Sequence, residues 1–157
     1  MKKKKVPKEK IIIGTLDKAD FPDLQLEEID CKIDTGAATS AIHCHEIKVL
    51  EKEGKEVLSF KLLDPDHPAY NHKRFYTSQF QLRKVRSSSG HLEERYVITT
   101  RVVLFKKTYK TQFTLADRVK MRYPVLLGKK LLHSRFLVDV ALKNLSWKQK
   151  NTNTEGQ

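Results

Sequence analysis

The sequence predicts a mainly β domain, built from many short strands with closed or paired edges and one short helix near the C-terminal end. Two observations lead there. Apolar and polar residues alternate over short runs, as in Tyr76, Ser78, Phe80 and Leu82, so successive side chains face opposite ways. Polar, Gly and Pro clusters separate these runs, as in Asp64-Pro65-Asp66-His67-Pro68. No repeat of solenoid length is present.

Taken in order, Met1 to Lys10 is a lysine-rich arm with too little apolar content to order itself. Ile11 to Thr15 reads as a short buried strand and Asp20-Phe21-Pro22-Asp23 as a turn. Leu24 to Leu26 and Ile29 to Ile33 lead into the next strand. Ala41 to Val49 and Val57 to Leu62 form two strands joined through a Glu53-Gly54-Lys55 turn. Phe75 to Arg86 reads as one strand, Ser87-Ser88-Ser89-Gly90 as a polar tip, and Glu93 to Phe105 as the returning strand. Lys106-Lys107 turns the chain into Tyr109 to Leu115. Val125 to Leu127 is a buried strand, Lys129 to Ser134 fits one or two helical turns, and Phe136 to Val140 is a final strand. The expected organisation is a basic arm over 1–10, one domain over 11–146 and a polar tail over 147–157.

Composition narrows the function. The 157 residues suit a single domain, and a 39% hydrophobic share supports one modest core. The net charge of +12 points to an acidic partner. Two cysteines, Cys31 and Cys44, are no disulfide framework and suit a reducing compartment, so the expected location is the cytoplasm. No run approaches the roughly 18 apolar residues of a membrane span. Met1 to Lys5 resembles the basic start of a signal peptide, but Ile11-Ile12-Ile13 is too short for its apolar segment.

Ile33-Asp34-Thr35-Gly36-Ala37-Ala38-Thr39-Ser40 is the stretch with chemistry in it. It places a carboxylate directly after an apolar strand end. Gly36 allows a sharp turn that brings backbone N–H groups to that carboxylate, which favours its ionised form and holds one orientation. An Asp presented this way can serve as an acid or base. Asp-x-Gly is also ordinary turn chemistry. What distinguishes this copy is a second apolar strand ending in glycine, Val125-Leu126-Leu127-Gly128, followed by Lys129-Lys130-Leu131-Leu132.

Together these stretches resemble the retropepsin-like aspartic peptidases, and more closely a bacterial family labelled as ATP-dependent zinc proteases. The matching blocks include Lys32 to Ala37, Thr39 to His43, Ser88-Ser89-Gly90, Glu94 to Ile98, Leu126-Leu127-Gly128 and Arg135 to Asp139. The resemblance implies a closed retropepsin-like β-barrel and peptide hydrolysis by two aspartates sharing one proton. One chain has a single Asp-Thr-Gly, so the dyad requires a homodimer with Asp34 from each copy at the axis. Thr35 would brace the opposite loop, Gly36 and Ala37 would give close backbone approach, and Gly128 would end the strand behind the loop. Ser87, Ser88, Ser89, Gly90 and Arg95 would belong to a substrate-binding flap. The sequence departs from the family at Ala38 and Lys129, where arginine is usual, and lysine does not replace arginine in a bidentate pair.

The zinc and ATP of that label find no matching pattern. There is no His-Glu-x-x-His, no Cys-x-x-Cys and no Walker-type glycine loop, so no cofactor is expected. His43 and His45 are the metal candidates by spacing, and their plainer reading is a packed His43 and an exposed His45. Arg83, Lys84, Arg86, Arg95 and Arg101 cluster on the expected flap hairpin, which favours acidic peptides. Members of the resembled family occur beside ligases that add glutamates to proteins, so a glutamate-tailed substrate is implied. Nucleic acid and membrane are not expected partners. The alternative reading is a catalytically silent retropepsin-fold module that binds an acidic protein or a nucleic acid.

Overall fold

In the computed structural model, which describes residues 9–86, 89–117 and 122–152, the chain runs through strands Ile11–Ile13 (β1), Leu16–Phe21 (β2) and Leu26–Ile33 (β3). A single 3-10 turn at Pro22–Leu24 links β2 to β3 and ends on Gln25 in the left-handed region. β2 turns Asp17, Ala19 and Phe21 inward, and β3 turns Leu26, Ile29, Cys31 and Ile33 inward. Glu28, at φ 51°, adds the extra residue that keeps Leu26 and Ile29 on one face.

The Asp34 loop leads into Ser40–Lys52 (β4), which pairs with Lys55–Leu62 (β5). Their connection puts Glu53 and Gly54 at φ 51° and 78°, the two positive angles of a two-residue hairpin turn. Arg74–Thr77 (β6), Gln81–Arg86 (β7), Leu92–Leu104 (β8) and Lys107–Ala116 (β9) follow. Val125–Leu127 (β10) then leads to a short helix, Lys129–Leu132 (α1), a strand, Phe136–Val138 (β11), and a second helix, Leu145–Thr152 (α2).

The fold is mainly β. Its main sheet orders the strands β10-β3-β2-β8-β9-β4-β5-β6, and β10 pairs with β4 as well, so the pairings form a ring. β10 is the linchpin: it runs parallel to β3, with Leu127 opposite Ile33, and antiparallel to β4, with Val125 opposite Ile42. The β2–β8 link rests on one paired position, Asp20 with Val103, so the ring is less continuous than the closed barrel the resemblance implies. Phe21 and Phe113 meet edge to face at 5.6 Å inside the ring, packed with Ile29, Ile42, Leu104 and Leu127.

Four elements differ from the sequence reading. Phe75 to Arg86 is two strands, because Ser78–Phe80 leaves the sheet; β6 pairs with β5 and β7 with β8. Leu16–Phe21 is a strand that the sequence hid, since its inward set includes the buried carboxylate Asp17. The β8–β9 turn is Phe105-Lys106, both at positive φ without glycine, one residue earlier than expected. The expected polar tail, 147–157, is helical over residues 147–152, as part of α2. The buried Asp17 carboxylate accepts the N–H groups of Ser146 at 2.9 Å and Trp147 at 3.1 Å, and so caps the start of α2. The expected arm falls mostly within residues 1–8, outside the described residues.

Candidate active site

Asp34 sits where β3 ends, and the loop around it is fastened from several directions. Its backbone N–H donates to the carbonyl of Leu127 at 2.8 Å, extending the β3–β10 ladder by one bond. Its Oδ1 accepts the Gly36 N–H at 3.0 Å, and its carbonyl accepts the Ala37 N–H at 3.2 Å. The carboxylate is therefore held by backbone at the rim of a buried sheet while remaining half-buried. Thr35 and Gly36 are exposed beside it, open to a second molecule.

The far side of the loop rests on Gly128. The Ala37 carbonyl accepts the Lys129 N–H at 2.7 Å, and the Ala38 carbonyl accepts the Lys130 N–H at 3.0 Å. A Cβ on residue 128 would lie 2.8 Å from the Ala37 oxygen and from the Thr39 carbonyl carbon. Glycine is thus required for α1 to start against the loop. The structure brings Asp34, Gly36, Ala37 and Gly128 together in one hydrogen-bonded unit. Ser40 is a further partner of the loop that sequence reasoning missed. It is fully buried, and its Oγ accepts the Gly128 N–H at 3.0 Å. Its place in Asp-Thr-Gly-Ala-x-x-Ser, just before an apolar strand, was the available signal.

The expected flap is a hairpin of β7 and β8, paired from Gln81 with Val97 to Arg86 with Leu92. Ser87 and Ser88 lie outside the described residues. Ser89 and Gly90 are at the turn, where Gly90 has φ 85° and its carbonyl accepts Arg86 Nη1 at 3.1 Å. Arg95 pairs with Glu93 at 2.9 Å, two residues back on its own strand. It lines a groove of about 350 Å³ with Ile47, Tyr96, Leu115 and Asp117.

His43 is buried, with Nδ1 3.1 Å from the Ala116 carbonyl, as its plainer reading held. His45 is half-buried, not exposed. Its Nδ1 lies 2.9 Å from the Leu63 carbonyl, its Nε2 lies 3.3 Å from the Tyr70 hydroxyl, and Glu46 is within 3.7 Å. Both rings are thus engaged in local contacts. Among the described residues, no three His, Cys, Asp or Glu side chains gather as a metal site would need. Cys31 and Cys44 are buried free thiols, and burial pushes both well above the ordinary thiol range.

The family profile described as RimB-like, "Retropepsin-like aspartic endopeptidase RimB", matches residues 12–149. The chain belongs to the RimB-like family. The match spans the whole Asp34 loop, the β7–β8 hairpin and the Gly128 junction. Among curated proteins, the chain is 34% identical over 134 residues to a "Probable alpha-L-glutamate ligase" of Shewanella halifaxensis, covering 83% of this chain and 28% of that one. A protein of the same name from Desulfotalea psychrophila is 33% identical over 138 residues, covering 85% and 29%. The chain thus spans under a third of the length of these curated relatives. Among solved structures, a Legionella pneumophila protein of unknown function (DUF785) matches with a TM-score of 0.71 and 27% identity, covering 88% of this chain and 99% of that chain. RimB-like membership accounts for the retropepsin-like arrangement of strand, Asp loop and glycine junction. Among the described residues, no helix is long and apolar enough to cross a membrane.

Proposed function

We propose that two copies of this chain form an aspartic endopeptidase, each contributing Asp34 to one shared dyad inside a retropepsin-like barrel. The observation that carries this reading is the Asp34 carboxylate itself, aimed by the Gly36 N–H and anchored through Leu127 beside exposed Thr35 and Gly36. The family description supports the same chemistry. Two carboxylates in contact share one proton. The ionised member takes a proton from water as its oxygen bonds to the peptide carbonyl carbon. The protonated member supports the developing oxyanion, and a proton passes to nitrogen as the C–N bond breaks. Thr35 of each copy braces the opposite loop, and the β7–β8 hairpin covers the bound peptide.

The substrate is an acidic, glutamate-tailed protein. The +12 charge supports this, as does the match to part of proteins named glutamate ligases. Two buried free thiols suit a cytoplasmic setting. The test is mass-spectrometric cleavage of glutamate-tailed and unbiased peptides by wild type and by Asp34→Asn. Asparagine keeps an acceptor for the Gly36 N–H, so the loop stays in place while the ionisable group is lost. Cuts made by wild type and absent in the variant support the dyad, and equal cleavage by both overturns it. The second reading, a silent module that binds acidic partners, is favoured by Lys129 and Lys130 lying exposed beside the loop. Binding of a glutamate tail without cleavage would support it.

A further inference from the structure

Arg83 on β7 and Lys130 on α1 converge on one neutral oxygen. Gln112 Oε1, on β9, accepts Arg83 Nη1 at 2.9 Å and Lys130 Nζ at 3.1 Å. The other arm of the guanidinium donates to Gln81 Oε1 at 2.8 Å, again an uncharged amide. No ion pair of the described residues includes either cation. Two positive groups brought together on an amide oxygen repel each other, and a carboxylate placed there would relieve that repulsion with charge-assisted bonds.

Gln81 and Gln112 also form walls of a groove of about 270 Å³, completed by Thr77, Gln79, Phe80, Val97 and Thr99. Its lining offers amides and hydroxyls and no carboxylate. Phe80, packed edge to face on Tyr96 at 5.8 Å, is the one aromatic side chain in this lining, where a nucleic-acid strand stacks successive bases on several. The planar guanidinium fits a carboxylate in two-point fashion.

We propose that Arg83 and Lys130, joined by Gln112, form an anion-binding site that holds a carboxylate of an acidic peptide lying in this groove. The site rests on the proposed catalytic reading and ties together two of its parts. Arg83 belongs to the β7–β8 hairpin, and the Lys130 backbone N–H donates to the Ala38 carbonyl of the Asp34 loop. An acidic segment bound here steadies hairpin and loop against each other. Binding needs no chemistry at Asp34, so it is measured apart from cleavage.

The experiment uses the full chain carrying Asp34→Asn and fluorescein-labelled hexaglutamate, read by anisotropy at fixed salt. Arg83→Gln with Lys130→Gln should weaken binding by about tenfold or more, the scale of losing two charge-assisted bonds. The control Lys55→Gln with Lys143→Gln removes the same charge from exposed positions elsewhere and should have a much smaller effect. A second variant, Gln112→Glu, fills the site with the protein's own carboxylate. It should abolish the Arg83-dependent binding while raising the melting temperature. Equal weakening by both charge-removing doubles would overturn the proposal in favour of general steering. Tighter Arg83-dependent binding of a single-stranded oligonucleotide than of hexaglutamate would overturn it in favour of phosphate recognition.

Discussion

The Gly128 N–H donates to the Ser40 hydroxyl at 3.0 Å across 88 residues of sequence, and both groups are buried. That bond closes the Asp34 loop against the strand that enters α1. Ser40→Ala leaves a buried N–H without its acceptor, at a cost of about 1–3 kcal/mol. Urea denaturation should read this as a lower midpoint with an unchanged slope. Gly128→Ala should act more severely on function, since its Cβ must displace the Ala37 and Thr39 backbone. Peptide cleavage should fall sharply in Gly128→Ala while far-ultraviolet circular dichroism stays β-like.

Asp17 offers a second test. Its carboxylate accepts the N–H groups of Lys18, Ser146 and Trp147. Asp17→Ala removes the cap of α2, at a cost of about 0.5–2 kcal/mol by the usual scale of N-caps. Trp147 is the chain's one tryptophan, so its emission should shift red as α2 frays in the variant. An unchanged spectrum would show that α2 is held by packing instead.

Asp23 gives a pH prediction. The hydrogen bond from the Arg101 guanidinium, Nε to Oδ2 at 3.0 Å, holds its carboxyl below the ordinary 3.8. A carboxylate lowered in the folded state contributes stability above its unfolded pKa, and that contribution disappears as pH falls through the folded value. Wild type should therefore be more stable than Arg101→Gln near neutral pH, and the two should converge in acid below the ordinary Asp range. Carboxyl-detected NMR should find Asp23 titrating lower in wild type than in Arg101→Gln, with the difference shrinking in high salt.

The thiols make a fourth prediction. Cys31 and Cys44 are buried, and burial raises both pKa values well above the ordinary range, so little thiolate forms at neutral pH. Ellman's reagent should leave the native protein unlabelled over minutes and titrate two thiols in denaturant. Rapid labelling of the native protein would show that the β3–β4 region opens locally.

Much of the Asp34 loop and its glycine junction was legible in the sequence because its geometry is local. Asp34, Gly36 and Ala37 are contiguous, and Gly128 follows an apolar run that could only be a buried strand. The Glu53-Gly54 turn was legible for the same reason. Elements held by distant partners were hidden. Leu16–Phe21 places a carboxylate in its buried set, which breaks the apolar alternation, and that carboxylate is used by a helix 129 residues later. That helix shows no apolar stripe of its own and so read as a tail. Phe105-Lys106 turns at positive φ without glycine, since Ser146 Oγ accepts the Phe105 N–H at 2.7 Å from across the fold.

The capped helix has an architectural consequence. β1 pairs with β11, and α2 packs on β1 and β2, so the first and last described elements sit together. A polypeptide therefore enters and leaves the described unit through elements that lie side by side. Such a unit tolerates being spliced into or hung from a larger assembly, because attachment asks nothing of the sheet. A circularly permuted version, joined from residue 152 to residue 9 and opened between Glu53 and Gly54, should fold with its ring of strand pairings intact.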